Sequence, residues 1–189
     1  MQRRILALAL EFFGLAGFGF EQQTTAPDPS QAAEPSATSV PAPRTSKETQ
    51  KRLQQLACGP EEQHYKVRTE QGPQTLPVQP ADKALIYVVR PTHLGMAEQS
   101  KLAIDQKWVG ANRANNYFYV TLDPGPHYFC SEMGEIHSLL SLVVDAGKTY
   151  YLQQKISVAG NDLELLEEAR GREDVAKCKL SVAEEKKKN

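Results

Sequence analysis

Val120-Thr121-Leu122-Asp123-Pro124-Gly125-Pro126-His127-Tyr128-Phe129-Cys130 and, further on, Leu142-Val143-Val144-Asp145-Ala146-Gly147-Lys148-Thr149-Tyr150-Tyr151-Leu152 share one pattern. An apolar, β-branched and aromatic run breaks at a short Asp/Gly turn, and another such run follows at once. Pro124 presets φ, Gly125 and Gly147 accept positive φ, and strand formers flank both turns. Each unit therefore reads as a β-hairpin, and together they predict an antiparallel β domain.

Outward from these units the same signals recur. Ala84-Leu85-Ile86-Tyr87-Val88-Val89 is apolar on both faces, as a central strand is. Leu102 and Ile104 alternate with polar neighbours, Asp105-Gln106-Lys107 turns the chain, and Trp108-Val109-Gly110 returns. Segments 117–122, 128–133, 138–144 and 149–156 follow, and Leu163–Leu166 suits a last strand or a helix start. Turn signals about every ten residues predict a mostly β fold, an antiparallel β-sandwich of about seven or eight strands. A short helix is expected at each end of it. The first has Thr45 and Glu48 as a capping box, a stripe of Leu53, Leu56 and Ala57, and a stop at Gly59-Pro60. The second covers 171–179, with Val175 and Cys178 on one face.

The chain divides accordingly. Residues 1–19 read as a signal peptide: Arg3-Arg4 precede an apolar run from Ile5 to Phe20, too short for the ~20 residues of a membrane span. A buried N-terminal helix is the alternative for this run. No Cys follows Leu15-Ala16-Gly17, so no lipid anchor is expected, and no stable membrane span after cleavage. Residues 20–46 are a Pro/Ala/Ser/Thr linker without the apolar content to order itself. Residues 47–82 hold the short helix, a strand at 64–68 and a connection punctuated by Pro73, Pro77 and Pro80. The β-sandwich domain is expected over 83–181, and 182–189 as a charged, solvated tail. The expected compartment is periplasmic or extracellular.

Loss of Arg3, Arg4 and Glu11 leaves 20 basic and 22 acidic residues, with no basic stripe, which argues against nucleic acid. Three cysteines in an exported chain permit one disulfide. Cys58–Cys130 is the expected pair, because a weak helix gains a covalent tie to the strand after the Pro124-Gly125 turn. Cys178 is then a buried free thiol, and Cys58–Cys178 is the alternative pairing.

The order of these motifs is also familiar. Ala84–Pro91, Lys107-Trp108-Val109-Gly110, Tyr117-Phe118, Asp123-Pro124-Gly125-Pro126-His127, Ala146–Tyr151, Gly171-Arg172-Glu173 and Cys178 resemble, over about residues 83–180, the bacterial domain-of-unknown-function family 2846. The pattern also looks like PEGA-type and transthyretin-like small β-sandwiches. The resemblance implies a fold and an exported or envelope setting. It brings no activity, cofactor or catalytic residue.

The residues themselves point the same way. His64, His93, His127 and His137 form no zinc-type pair, and no cofactor or metal is expected. Glu132, Glu135 and His137 around Gly134 could collect a cation, but a solvated turn explains them equally. No Gly-x-Ser-x-Gly elbow and no phosphate loop is present, so no catalytic residue is assigned and the chain is not expected to be an enzyme.

One candidate binding surface emerges. If Phe118, Val120 and Leu122 face the core, Tyr117 and Tyr119 face outward, with Trp108 and Arg113 close in sequence. Trp108, Arg113, Tyr117 and Tyr119 could stack on a sugar or hold a peptide. Alternatively, Trp108 and one tyrosine fill the second side of a sandwich or lie beneath the N-terminal segment. The leading functional expectation is a non-enzymatic interaction or structural module of the cell envelope, whose partner is another envelope protein or a glycan. A carbohydrate- or peptide-binding module comes second, and a hydrolase with an unrecognised site third.

Overall fold

The structure is a computed structural model that describes residues 47–59, 63–72, 74–158 and 160–186. The expected signal peptide, the linker and Thr45 lie outside these residues. In chain order the elements are α1 (Lys47–Ala57), β1 (Tyr65–Thr69), β2 (Ala84–Arg90), β3 (Ser100–Ile104), β4 (Lys107–Asn112) and β5 (Asn116–Leu122). They continue with β6 (Gly125–Met133), β7 (Ile136–Val144), β8 (Thr149–Ser157), β9 (Gly160–Leu166), α2 (Glu168–Lys177) and β10 (Lys179–Glu185).

The ten strands form two sheets, one of order β1-β10-β5-β2-β8-β9 and one of order β4-β3-β6-β7. Strand β2 is buried along its whole length and lies between β5 and β8, as its two apolar faces require. Alternation then sorts its side chains. Ile86 and Val88 point toward the other sheet and meet Leu102, Ile104, Phe129, Leu142 and Val144 in the central core. Leu85, Tyr87 and Val89 point outward, onto α2. In the other sheet Ala103 and Cys130 point outward, onto the end of α1.

Three expectations are corrected. Both opening units are corners between sheets, not hairpins. Strand β5 pairs with β2 and β10 while β6 pairs with β3 and β7; likewise β7 pairs with β6 while β8 pairs with β2 and β9. Turn chemistry reports a sharp reversal, and Gly125 (φ 136°) and Gly147 (φ 69°) supply one, but it does not report the strand's partner. The true hairpins are β3–β4, β6–β7 and β8–β9. In β3–β4, Asp105 and Gln106 both take positive φ, as a two-residue type I′ turn demands.

Second, the six-stranded sheet is mixed: β2 runs parallel to β8, and β10 runs parallel to β5. Once the chain changes sheet at a corner, it can return beside an earlier strand in the same direction. Third, the described residues form ten strands, not seven or eight. Leu163–Leu166 belongs to strand β9, and the expected tail begins inside β10, which reaches Glu185. Lys179-Leu180-Ser181-Val182-Ala183-Glu184-Glu185 is too polar to announce itself, yet it bridges β5 to β1. Residues 187–189 lie outside the description.

Helix α1 buries Ala57, while Leu53 is half-buried and Leu56 is exposed, so the expected three-residue stripe is mostly surface. What fixes α1 is its end: Cys58 is bonded to Cys130, with the Cα atoms 5.0 Å apart. This is the expected pairing, and Cys178 is free and buried.

Candidate functional site

The outward face of the six-stranded sheet carries a row of tyrosines. Register places Tyr87 of β2 directly beside Tyr119 of β5 and Tyr151 of β8. Such cross-strand neighbours touch. The rings of Tyr87 and Tyr151 stack at 5.3 Å, and Tyr119 and Tyr117 each lie 6.0 Å from Tyr87 at a tilt. Tyr87, Tyr117 and Tyr151 are almost fully buried, whereas Tyr119 ends the row 37% exposed.

Two covers lie over this row. Helix α2 sits on it through Gly171, Val175 and the Cys178 that follows. Gly171 is required there, because a Cβ would stand 2.3 Å from that of Tyr151. The second cover is the connection 74–80, held by two glutamines. Gln74 Oε1 accepts from Tyr117 Oη (2.8 Å) and from the Leu180 N–H (2.9 Å). Gln79 Oε1 accepts from Thr149 Oγ1, and its Nε2 donates to the carbonyls of Pro80 and Lys83, each at 2.9 Å.

Between the two covers a crevice of about 600 Å³ stays open. Leu85, Tyr87, Tyr117 and Tyr151 form its floor, Leu76 and Pro77 one wall, Val175 and Ala176 the other, and Arg172 and Lys179 stand at it as cations. Burial, together with the neighbouring phenols, pushes Tyr87 up to about 12. Burial, aided by Asp174, pushes the Cys178 thiol up to about 12 as well, so it is neutral and a poor nucleophile near pH 7.

The four residues singled out from sequence do not form one site. Tyr117 lines the crevice and Tyr119 flanks the row. Trp108 is on the opposite outer face, beside Ala57, Cys58 and Cys130, with its ring so close to Gly59 that a Cβ there would lie 2.2 Å from Nε1. Arg113 is exposed in the connection between β4 and β5. Neighbours in sequence were separated because β4 and β5 belong to different sheets. The residues that sequence reasoning missed are Tyr87, Tyr151, Gln74, Gln79 and Arg172. Strand alternation along 84–89 places Tyr87 on the face opposite Ile86 and Val88, a signal the sequence carries, but only register adds Tyr151.

The other polar clusters are committed internally. Glu132 pairs with Lys101 and accepts from His137 Nε2 at 3.0 Å, while Lys101 also lies 5.0 Å from the centre of the Trp108 ring. His127 joins the β3–β4 turn to the β5–β6 corner, with Nδ1 2.6 Å from Asp105 Oδ2 and Nε2 donating to the Asp123 carbonyl at 2.8 Å. Among the described residues no helix is long and apolar enough to cross a membrane.

Comparison with known proteins finds a family match within the central block. Residues 80–165 match the family described as "Protein of unknown function (DUF2846)", so the expected resemblance is shown for that segment; it stops short of residue 180. An uncharacterized protein of Haemophilus influenzae is 28% identical over 102 residues, which is 52% of this chain and 61% of that protein. The chain thus spans about three fifths of the length of the curated relative it matches. No solved structure matches. The family segment contains the floor tyrosines, while Gln74, Gln79, α2 and β10 lie outside it. The crevice is therefore walled by what surrounds the family block.

Proposed function

We propose that the chain is an exported, non-enzymatic binding module of the bacterial cell envelope, a β-sandwich whose site is the crevice between α2 and the connection 74–80. The crevice carries the reading, since it is a sizeable concavity in which an apolar floor meets convergent polar and charged side chains, as ligand sites do. The Cys58–Cys130 bond suits an oxidising compartment, and Arg3-Arg4 before an apolar run suits export. A glycan is disfavoured as ligand, because sugars stack on open aromatic faces and Tyr87, Tyr117 and Tyr151 are no more than 4% exposed.

Two measurements test the reading. Mass spectrometry of the native protein should find an N-terminus between about residues 17 and 26; an unprocessed cytoplasmic chain overturns export. A deproteinised envelope extract should raise the melting temperature of the wild type but not of Ala176→Phe, which fills the crevice from an exposed position. An equal rise in both variants overturns the site, and chemical conversion of extract components by the wild type overturns the non-enzymatic reading.

A further inference from the structure

Resting on the crevice as the binding site, we propose that its ligand is a small apolar carboxylate. The charges at the crevice are of one sign. Arg172 and Lys179 line it, and no Asp or Glu does among the described residues. Of the nearby acids, Asp174 is buried and bonded to Arg170 at 2.8 Å, while Glu168, outside the lining, pairs with Arg172 through Nε and Nη2 from one turn back on the helix. That grip leaves Nη1 of Arg172 for a ligand, and Lys179 has no ion pair among the described residues. Arg172 lines the crevice together with Tyr87 and Tyr151, which puts its charge beside the tyrosine floor.

The remaining lining selects an apolar body. Leu76, Pro77 and Ala176 offer hydrocarbon, above a nearly closed floor of Leu85, Val175 and the tyrosines. The acceptor oxygens of Gln74 and Gln79 are already taken by Tyr117, Leu180 and Thr149. Fewer acceptors are thereby left for the donors of a hydroxyl-rich ligand. A molecule with one anionic end and an aromatic or aliphatic body satisfies both halves of the site.

Calorimetric titration of the full-length protein at low salt tests this with 2-naphthoate, its neutral counterpart 2-naphthamide, and decanoate. A carboxylate should bind at one site about fivefold more tightly than the amide, the scale of exposed charge contacts. Salt should narrow the difference. Arg172→Gln combined with Lys179→Gln should bring the carboxylate to the level of the amide, and Ala176→Phe should abolish binding of both. Whether naphthoate or decanoate binds better distinguishes an aromatic from a chain-like ligand. Equal binding of carboxylate and amide overturns the anionic ligand while the crevice stands as a site. Failure of all three probes, or binding that survives Ala176→Phe, overturns the crevice itself.

Discussion

On the outer face of the four-stranded sheet, α1 ends against Ala103, Cys130 and Trp108, and its last turn is bonded to the sheet through Cys58. On the outer face of the six-stranded sheet, α2 and the connection 74–80 are held without any covalent link, by Val175, Cys178 and the hydrogen bonds of two glutamines. Each face has a glycine pressed on an aromatic ring, Gly59 on Trp108 and Gly171 on Tyr151. The first face is shut by a bond and the second leaves about 600 Å³ open between its covers. A helix with little apolar surface needs the cross-link, whereas a face covered by several weak contacts can leave space for something else.

Removing the bond should have the largest effect. Cys58→Ala with Cys130→Ala frees a helix whose buried side chain within its own span is Ala57. Chain-entropy reasoning for a sequence separation of 72 residues gives a loss of roughly 4 kcal/mol, read from urea denaturation. A loss under ~1 kcal/mol would show that Trp108 packing, not the bond, seats α1.

The paired glycines come next. Gly171→Ala gains up to ~1 kcal/mol of helix propensity, but its Cβ would stand 2.3 Å from the Cβ of Tyr151, an atom fixed by the sheet. Overpacking should win, with a net loss of about 1–3 kcal/mol. Gly59→Ala meets the ring of Trp108, which can turn, and should cost less. Denaturation curves of the two variants that ranked them the other way round would reverse the comparison of the faces.

The smallest effect concerns pH and is confined to the tyrosine face. Tyr87 is held near 12 in the fold against 10.0 unexposed to it. Between those values the unfolded chain releases the phenolic proton first, so the stability contributed below pH 10 is lost as pH rises toward 12. Tyr87→Phe should leave the pH 7 midpoint nearly unchanged and soften the alkaline decline, followed by tyrosinate absorbance. An unaltered alkaline profile would place the sensitivity in another group, Tyr65 first, since it too is held near 12.

How far the sequence could be read follows from the range of each signal. Strands β2, β6 and β8 were legible because alternation and turn residues act within a few positions. The pairing of Cys58 with Cys130 followed from asking which helix lacked apolar support. Strand partners were not legible: Asp123-Pro124-Gly125 looks the same whether the chain returns to its own sheet or crosses to the other. That ambiguity separated Trp108 from Tyr117 and hid the line of Tyr119, Tyr87 and Tyr151, which exists only through register. Gln74 was hidden further, as its partners Tyr117 and Leu180 are remote in sequence.

The pairing of β1 with β10 orders events in time. Tyr65 lies opposite Glu185 and Thr69 opposite Ser181, and β1 has no other neighbour in its sheet. Closing so long a loop costs entropy that local hairpins do not incur, which makes such contacts slow. A chain emerging N-terminus first presents Cys58 and Cys130 to each other before Lys179–Glu185 has been made. Strand β1 is therefore expected to wait, tethered through the neighbouring cross-link, until β10 docks on β5 and supplies its edge, so that the first of the described strands joins its sheet last.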